Sequence, residues 1–264
     1  MRYLKRCYLG LLLIFMYAPI AILIVFSFNA SRSRANWTGF TFDWYIALFN
    51  DPEIARALYN SLTIALFSSI IAAVIGTAAA VGIDAMKGWR KNLVMGVVNI
   101  PVMNPEIVTG VSLMILFLAA FRFFPRMSLG YGTLLLSHIA FNISYIILSV
   151  LPRLRRMDKN LYEAALDLGA SPVEGFLKVI LPEIMPGIIT GMLLAFTLSL
   201  DDFVISFFTT GSGVNNLSIL IFSMARRGIN PTINALSTIM FIVVLLLLYI
   251  VNRRTGGGQQ ETRD

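Results

Sequence analysis

The sequence predicts an all-α membrane protein with about six transmembrane helices and both termini in the cytoplasm. Three observations predict it. Charged residues fill only 13% of the 264 positions while hydrophobic ones fill 57%, six apolar stretches are long enough to span a bilayer, and Lys and Arg collect on one side of those stretches. A soluble domain carries about 25% charge, so this chain lacks the polar residues to cover a core and needs lipid around it.

A helix needs about 20 apolar residues to cross a hydrocarbon core roughly 30 Å thick. The first stretch, 8–28, follows the basic start Arg2, Lys5 and Arg6. It is long and lacks a small-residue cleavage site, so it reads as an uncleaved span rather than a signal peptide. Cys7, the single cysteine, sits beside that basic cluster and forms no internal disulfide. The outer segment 29–60 carries Trp37, Trp44 and Tyr45, which suit a helix lying at the membrane surface.

The second span, 61–83, places Ala72, Gly76 and Ala80 four apart, a spacing that lets helix backbones approach closely. Gly187 and Gly191 repeat it later, and packing within the chain or against a second subunit are both open readings. The third stretch, 93–121, would measure about 43 Å as one straight helix, too long for the bilayer core. Pro101 and Pro105 break it, with Asn104, Pro105 and Glu106 as N-cap, first and second positions of a new helix. The fourth span, 131–151, holds His138 and Asn142 one turn apart, a candidate buried polar pair.

The longest inner segment, 152–185, is basic and partly helical. A helix over 161–168 stops at Gly169, with Leu161, Ala165 and Leu168 on one face. A second runs over 172–180, with Ser171 as N-cap and Pro172 at its first position. Docking into a groove on another protein and lying on lipid headgroups fit this pair equally. The fifth and sixth spans follow at 186–208 and 232–251, and the polar, Gly-rich tail 255–264 reads as disordered.

The segments before the first span, between the second and third, between the fourth and fifth and after the sixth hold fourteen Lys and Arg, against seven on the opposite side. The richer side is cytoplasmic. The net charge of +7 therefore marks topology and gives no reason to expect nucleic acid.

Three acids fall inside predicted spans: Glu106, Asp201 and Asp202. An ionised side chain at the bilayer centre costs roughly 2.5–3.5 kcal/mol, so these imply a wet cavity, partner cations or raised pKa values. On the fifth helix Ser199, Asp202 and Ser206 fall at i, i+3 and i+7 and make one polar stripe, with Asp201 turned about 100° away. Phe203, Phe207 and Phe208 stand near enough in sequence to offer ring faces to an ammonium group. Carboxylates and aromatics in one cavity attract organic cations. Each residue also has a structural reading: the helix dipole favours Glu106 at a helix start, and the phenylalanines suit packing.

The inner segment carries a motif. Glu163-Ala164-Ala165, three residues, Gly169, nine residues and Val179-Ile180-Leu181-Pro182 resemble the E-A-A…G…I-x-L-P loop of permease subunits of binding-protein-dependent (type I) ABC importers. Val179 in place of Ile is the one departure. Phe42-Asp43-Trp44-Tyr45, Pro105-Glu106-Ile107-Val108, Ser199-Leu200-Asp201-Asp202-Phe203 and the run 228–235 are similar to the spermidine/putrescine permeases of that family, and within it to the second of the two permease subunits.

The resemblance implies the type I ABC importer permease fold, with 1–254 a single transmembrane permease domain, its core at 57–251, a cytoplasmic coupling loop at 152–185 and a disordered cytoplasmic tail at 255–264. It implies a bacterial inner-membrane location. Glu163, Ala164, Ala165, Asp167, Leu168, Gly169 and Ala170 would couple to the ATPase. Asp202, Glu106, Asp201, Ser199, Trp44 and Phe203 would line the substrate pathway. The implied partners are a second permease subunit in a heterodimer, an ATPase homodimer, an extracytoplasmic polyamine-binding protein and the polyamine itself. No cofactor or metal is expected in this chain, ATP and Mg belonging to the ATPase subunits.

The chain has no G-x-x-x-x-G-K-[ST] phosphate loop of its own. A proton- or cation-coupled secondary transporter of organic cations is the alternative, with the buried acids as a relay. An ATPase signature loop is unexpected there, and 264 residues without internal repeats is small for such a fold. An intramembrane protease would need a nucleophile and base brought together, and Ser137 beside His138 lies on a different helix face.

Overall fold

The computed structural model describes residues 2–32, 36–124, 127–227 and 231–256. They form twelve α-helices and one π-helical turn, and the backbone pairs as a strand only at the isolated bridge between Asn29 and Phe40. Two compact units emerge, one from Met1–Ala55 with Leu220–Asp264 and the other from Arg56–Ile219.

In the first unit, α1 (Arg2–Phe26) is 25 residues long. Its apolar part, Tyr8–Phe26, buries no side chain within the chain, so lipid or another subunit has to cover it. The bridge after it stacks Phe28 on Phe40 and Tyr45. A helix is present around Trp44 as α2 (Asp43–Asn50), and α12 (Pro231–Gly256) packs against both α1 and α2. Because α12 continues to Gly256, Thr255 and Gly256 are helical; the rest of the tail expected to be disordered lies outside the described residues.

Helix α3 (Pro52–Ala85) starts nine residues before the apolar stretch that announces it. Asp51 makes this start possible, its Oδ1 accepting from the amide of Glu53 at 2.8 Å. In the second unit α6 (Tyr131–Arg156) packs against α4, α5, α9 and α10. Ala72 and Ala80 of α3, Ile146, Val150 and Leu154 of α6, and Ile184 and Ala195 of α9 share its core. The small residues serve these crossings. A Cβ at Gly76 would lie 2.7 Å from Ile146 Cβ, and one at Gly191 3.0 Å from Ser149 Cβ. Both small-residue motifs thus pack within the chain.

The third apolar stretch is two helices, α4 (Gly88–Met103) and α5 (Glu106–Phe121), meeting at 109°. Pro105 makes the break, because its ring disfavours helical geometry in the residue before it, and Asn104 is extended at φ −81° and ψ 147°. Pro101 stays inside α4. Asn104 therefore closes α4 rather than capping α5, whose N-cap is Pro105 and first residue Glu106. The expected cap lies one position too early.

The cytoplasmic pair expected at 161–180 is α7 (Lys159–Asp167) and α8 (Pro172–Gly175). The second continues without a break through a π-helical turn, Phe176–Ile180, into α9 (Leu181–Asp201). The wide turn has a cause. Pro182 has no amide hydrogen and its ring crowds the carbonyl four residues back, a clash that a looser turn relieves.

Helix α9 ends at Asp201, not near residue 208, and Asp202 is extended with ψ 117°. A short α10 (Val204–Thr209) follows, then α11 (Leu217–Arg227). Among the described residues, four helices are long and apolar enough to cross a membrane: Tyr8–Phe26, Pro52–Ala85, Tyr131–Arg156 and Pro172–Asp201. The bent α4–α5 pair makes a fifth if counted as one span, and Pro231–Leu246 is a shorter apolar helix.

Candidate functional site

Two helix breaks come together in the second unit. Helix α5 packs against α10 through Gly110, where a Cβ would meet Phe208 Cδ2 at 3.0 Å and the Ile205 Cα at 3.3 Å. Glu106 sits one turn before that glycine, at the head of α5. Asp201 and Asp202 sit at the end of α9. The three acids singled out in the sequence therefore stand at the two helix breaks beside the α5–α10 packing.

Their surroundings differ. Glu106 and Asp201 are exposed on the chain's surface, whereas Asp202 is only 8% exposed. Its Oδ1 accepts from the amide of Ile205 at 3.2 Å, and its Oδ2 from the amide and the hydroxyl of Ser206 at 2.8 and 2.9 Å. The carboxylate thereby caps α10 from within. Among the described residues its burial is answered by hydrogen bonds.

The hydrogen bonds run on from there in one direction. Having donated its proton to Asp202, Ser206 Oγ accepts from Asn216 Nδ2 at 2.7 Å and from His138 Nε2 at 3.0 Å. The proton of the imidazole is thus assigned to Nε2, and Nδ1 accepts from Ser199 Oγ at 3.1 Å. Asn142 Nδ2 donates to Ser199 at 2.9 Å and to Ser68 at 3.1 Å. The separation of His138 Nε2 from Asp202 Oδ2 is 3.6 Å, so Ser206 mediates between them.

The polar stripe expected on the fifth helix is thus assembled differently. Ser199, Asp202 and Ser206 do meet, but the helix breaks between them and His138 joins them from α6. The expected pair of His138 and Asn142 exists through Ser199. Ser199 itself is buried. Phe203 stands half-buried at the break, its ring 5.5 Å from that of Phe207, which in turn meets Phe208 edge-on. Trp44 belongs to the first unit. Its Nε1 donates to the Asn29 carbonyl at 2.8 Å, and the indole helps line a cavity of about 600 Å³ with Arg32, Asp51, Glu53 and Arg227.

Ser68 and Asn216 are absent from the sequence-based set. Ser68 lies in an apolar run and Asn216 in a Gly- and Asn-rich turn, where such residues are ordinary. The buried partnership is made by tertiary packing alone.

The segment 152–185 is a second candidate site. Asp158 caps α7 by accepting from the amide of Asn160 at 3.0 Å. Gly169 ends it with φ +89°, a left-handed conformation that glycine adopts without penalty. Ser171 and Glu174 form a reciprocal capping box at the head of α8. Tyr162 and Leu166 turn inward onto Gly175, leaving Leu161, Leu168, Val173 and Leu177 outward. Leu168 is 90% exposed. Glu163, Ala164, Asp167 and Gly169 are exposed, while Ala165 and Ala170 are half-buried.

A family described as "Binding-protein-dependent transport system inner membrane component" matches residues 72–255. The chain is 40% identical over 242 residues to the spermidine/putrescine transport system permease protein PotC of Escherichia coli, covering 92% of this chain and 90% of the relative. It is 38% identical to the Haemophilus influenzae protein of the same name, covering 91% and 92%. It is 42% identical to the Escherichia coli putrescine transport system permease protein PotI, covering 86% and 81%. Among solved structures, a bacterial ABC transporter involved in alginate import superposes with a TM-score of 0.74 at 17% identity, over 98% of this chain and 96% of that one.

Proposed function

The chain belongs to the binding-protein-dependent transport system inner membrane components, and from that premise we propose that it is the membrane-spanning permease subunit of an ATP-driven polyamine importer. The observation that carries the substrate class is the identity of 38–42% to permeases of spermidine and putrescine systems. The chemistry agrees: exposed Glu106 and Asp201, backed by the buried charge of Asp202, suit an organic cation shedding water at a low-dielectric site.

The chain crosses a bacterial inner membrane six times, with α4–α5 as one broken span, α12 as the last, and both termini cytoplasmic. It pairs with a second permease, two ATPase subunits and an external polyamine-binding protein. The coupling residues on α7 and the turn after it, Glu163 to Ala165 and Asp167 to Ala170, enter a cleft on the ATPase, with Leu168 as the apolar contact. Closure of the ATPase pair moves α7 and α8, and the continuous helix from Pro172 to Asp201 carries that motion to the acids. Trp44, in the first unit, is kept as a pathway residue on the sequence resemblance alone. Phe203 and the Ser199 network support the acids from behind.

The test is uptake of labelled putrescine and spermidine into proteoliposomes holding the complete complex. Uptake that requires ATP and survives collapse of the proton gradient supports the reading. Uptake driven by the gradient without ATP would favour a secondary transporter.

A further inference from the structure

We infer that His138 is a positioning residue for the transport step, bonding Ser199 on α9 through Nδ1 and Ser206 on α10 through Nε2 so that the break at Asp202 is held at one angle and Asp201 at one place in the pathway. The inference rests on the importer reading above. It concerns how the acids are held rather than which of them meet substrate.

The break needs such a holder. Residues 201–203 are Asp, Asp and Phe, with neither proline nor glycine to end a helix. What ends α9 comes from elsewhere. Asp202 turns back to cap α10, Asn216 fastens Ser206 and the Asp202 carbonyl at 2.7 and 3.4 Å, and the imidazole of α6 spans both sides. Asp201 is the last residue of α9, exposed, and next in sequence to the capped Asp202. Any change in the break angle moves its carboxylate.

Imidazole suits the task because its two nitrogens face opposite ways on a rigid ring, one donating and one accepting. His138 is 1% exposed and Asn142 is fully buried, so water cannot substitute for a lost bond. The donors run from Asn142 through Ser199, His138 and Ser206 to Asp202, an arrangement in which each bond polarises the next.

A core histidine that merely fills space would affect assembly, and with it transport and ATP hydrolysis together. A positioning residue separates them. The experiment measures labelled putrescine uptake and ATP hydrolysis in the same proteoliposomes carrying the whole complex. For His138→Leu, putrescine carried per ATP falls about tenfold or more while binding-protein-stimulated hydrolysis stays within about twofold. His138→Gln keeps a donor and an acceptor and returns the ratio to within about threefold of wild type. Ser206→Ala removes the imidazole's arm to α10 together with the hydroxyl's bonds to Asp202 and Asn216, and the ratio falls as well.

An unchanged ratio in His138→Leu or Ser206→Ala overturns the inference. So does a Gln variant as defective as Leu, or a parallel fall of uptake and hydrolysis. If His138→Leu does not assemble, Ser206→Ala decides alone, and its own failure to assemble would make the contact a folding requirement and overturn the inference too. A wild-type complex that takes up neither putrescine nor spermidine overturns the importer reading and this inference with it. Wild-type uptake with unaltered variants overturns this inference only.

Discussion

The ring of Tyr162 lies directly against Gly175, where an added Cβ would stand 2.9 Å from Cε2. That contact locks α7 onto α8, and α8 continues through the π-helical turn into α9. The outward leucines are therefore mounted on a stiff lever. Gly175→Val forces the tyrosine ring off its seat, an overpacking cost of about 1–3 kcal/mol. Uptake and ATPase stimulation fall together while membrane insertion is unchanged, as read by transport, hydrolysis and fractionation of one preparation.

Gly169 tests the same lever without touching its packing, since nothing lies within 4 Å of its missing Cβ. Its φ of +89° makes Gly169→Ala cost about 1 kcal/mol of backbone strain, with transport largely retained. Gly169→Arg adds a bulky cation at the exposed end of α7 and abolishes transport and ATPase stimulation, with insertion intact. Equal activity of the two variants would mean that this surface is not gripped.

The paired acids separate by environment. Asp201→Asn leaves thermal stability within experimental error and cuts putrescine uptake about tenfold or more. Asp202→Asn turns an amide toward Ser206 donors in a buried site, leaving a group unsatisfied at about 1–3 kcal/mol. Its melting temperature drops as well as its uptake. A melting curve identical to wild type would refute the capping role.

Gly110 sets the distance between α5 and α10. Gly110→Leu meets backbone on the far side, Val204 O and Ile205 Cα both at 3.3 Å, and no rotamer relieves that. The variant separates Glu106 from the other acids and loses putrescine uptake, whereas Gly82→Leu, with nothing within 4 Å, retains it.

The features legible in the sequence are those with local causes. Ser171 and Pro172 announce the start of α8 by cap chemistry, Gly169 the end of α7, and Pro105 the bend between α4 and α5 through its effect on Asn104. The end of α9 was not legible. The apolar run continues past it, and the groups that stabilise the break, His138 and Asn216, are 64 and 14 residues from Asp202. The start of α3 was hidden for a related reason, since its first turns carry Glu53, Arg56 and Asn60 and look like loop. The acids were readable because charge in an apolar stretch is conspicuous. Their division into exposed and buried depends on which way the chain turns at Asp202.

The central claim is that an ATP-hydrolysing neighbour grips the end of α7, and Leu168 offers the most direct measurement. A Leu168→Cys, Cys7→Ser chain in the assembled complex, treated with a short thiol-to-amine cross-linker in membranes, should yield one adduct containing the ATPase subunit, with a yield that changes when ATP is added. Cross-linking to the ATPase that is absent with and without ATP, together with free labelling of the same thiol by a lipid-soluble maleimide, would contradict the account.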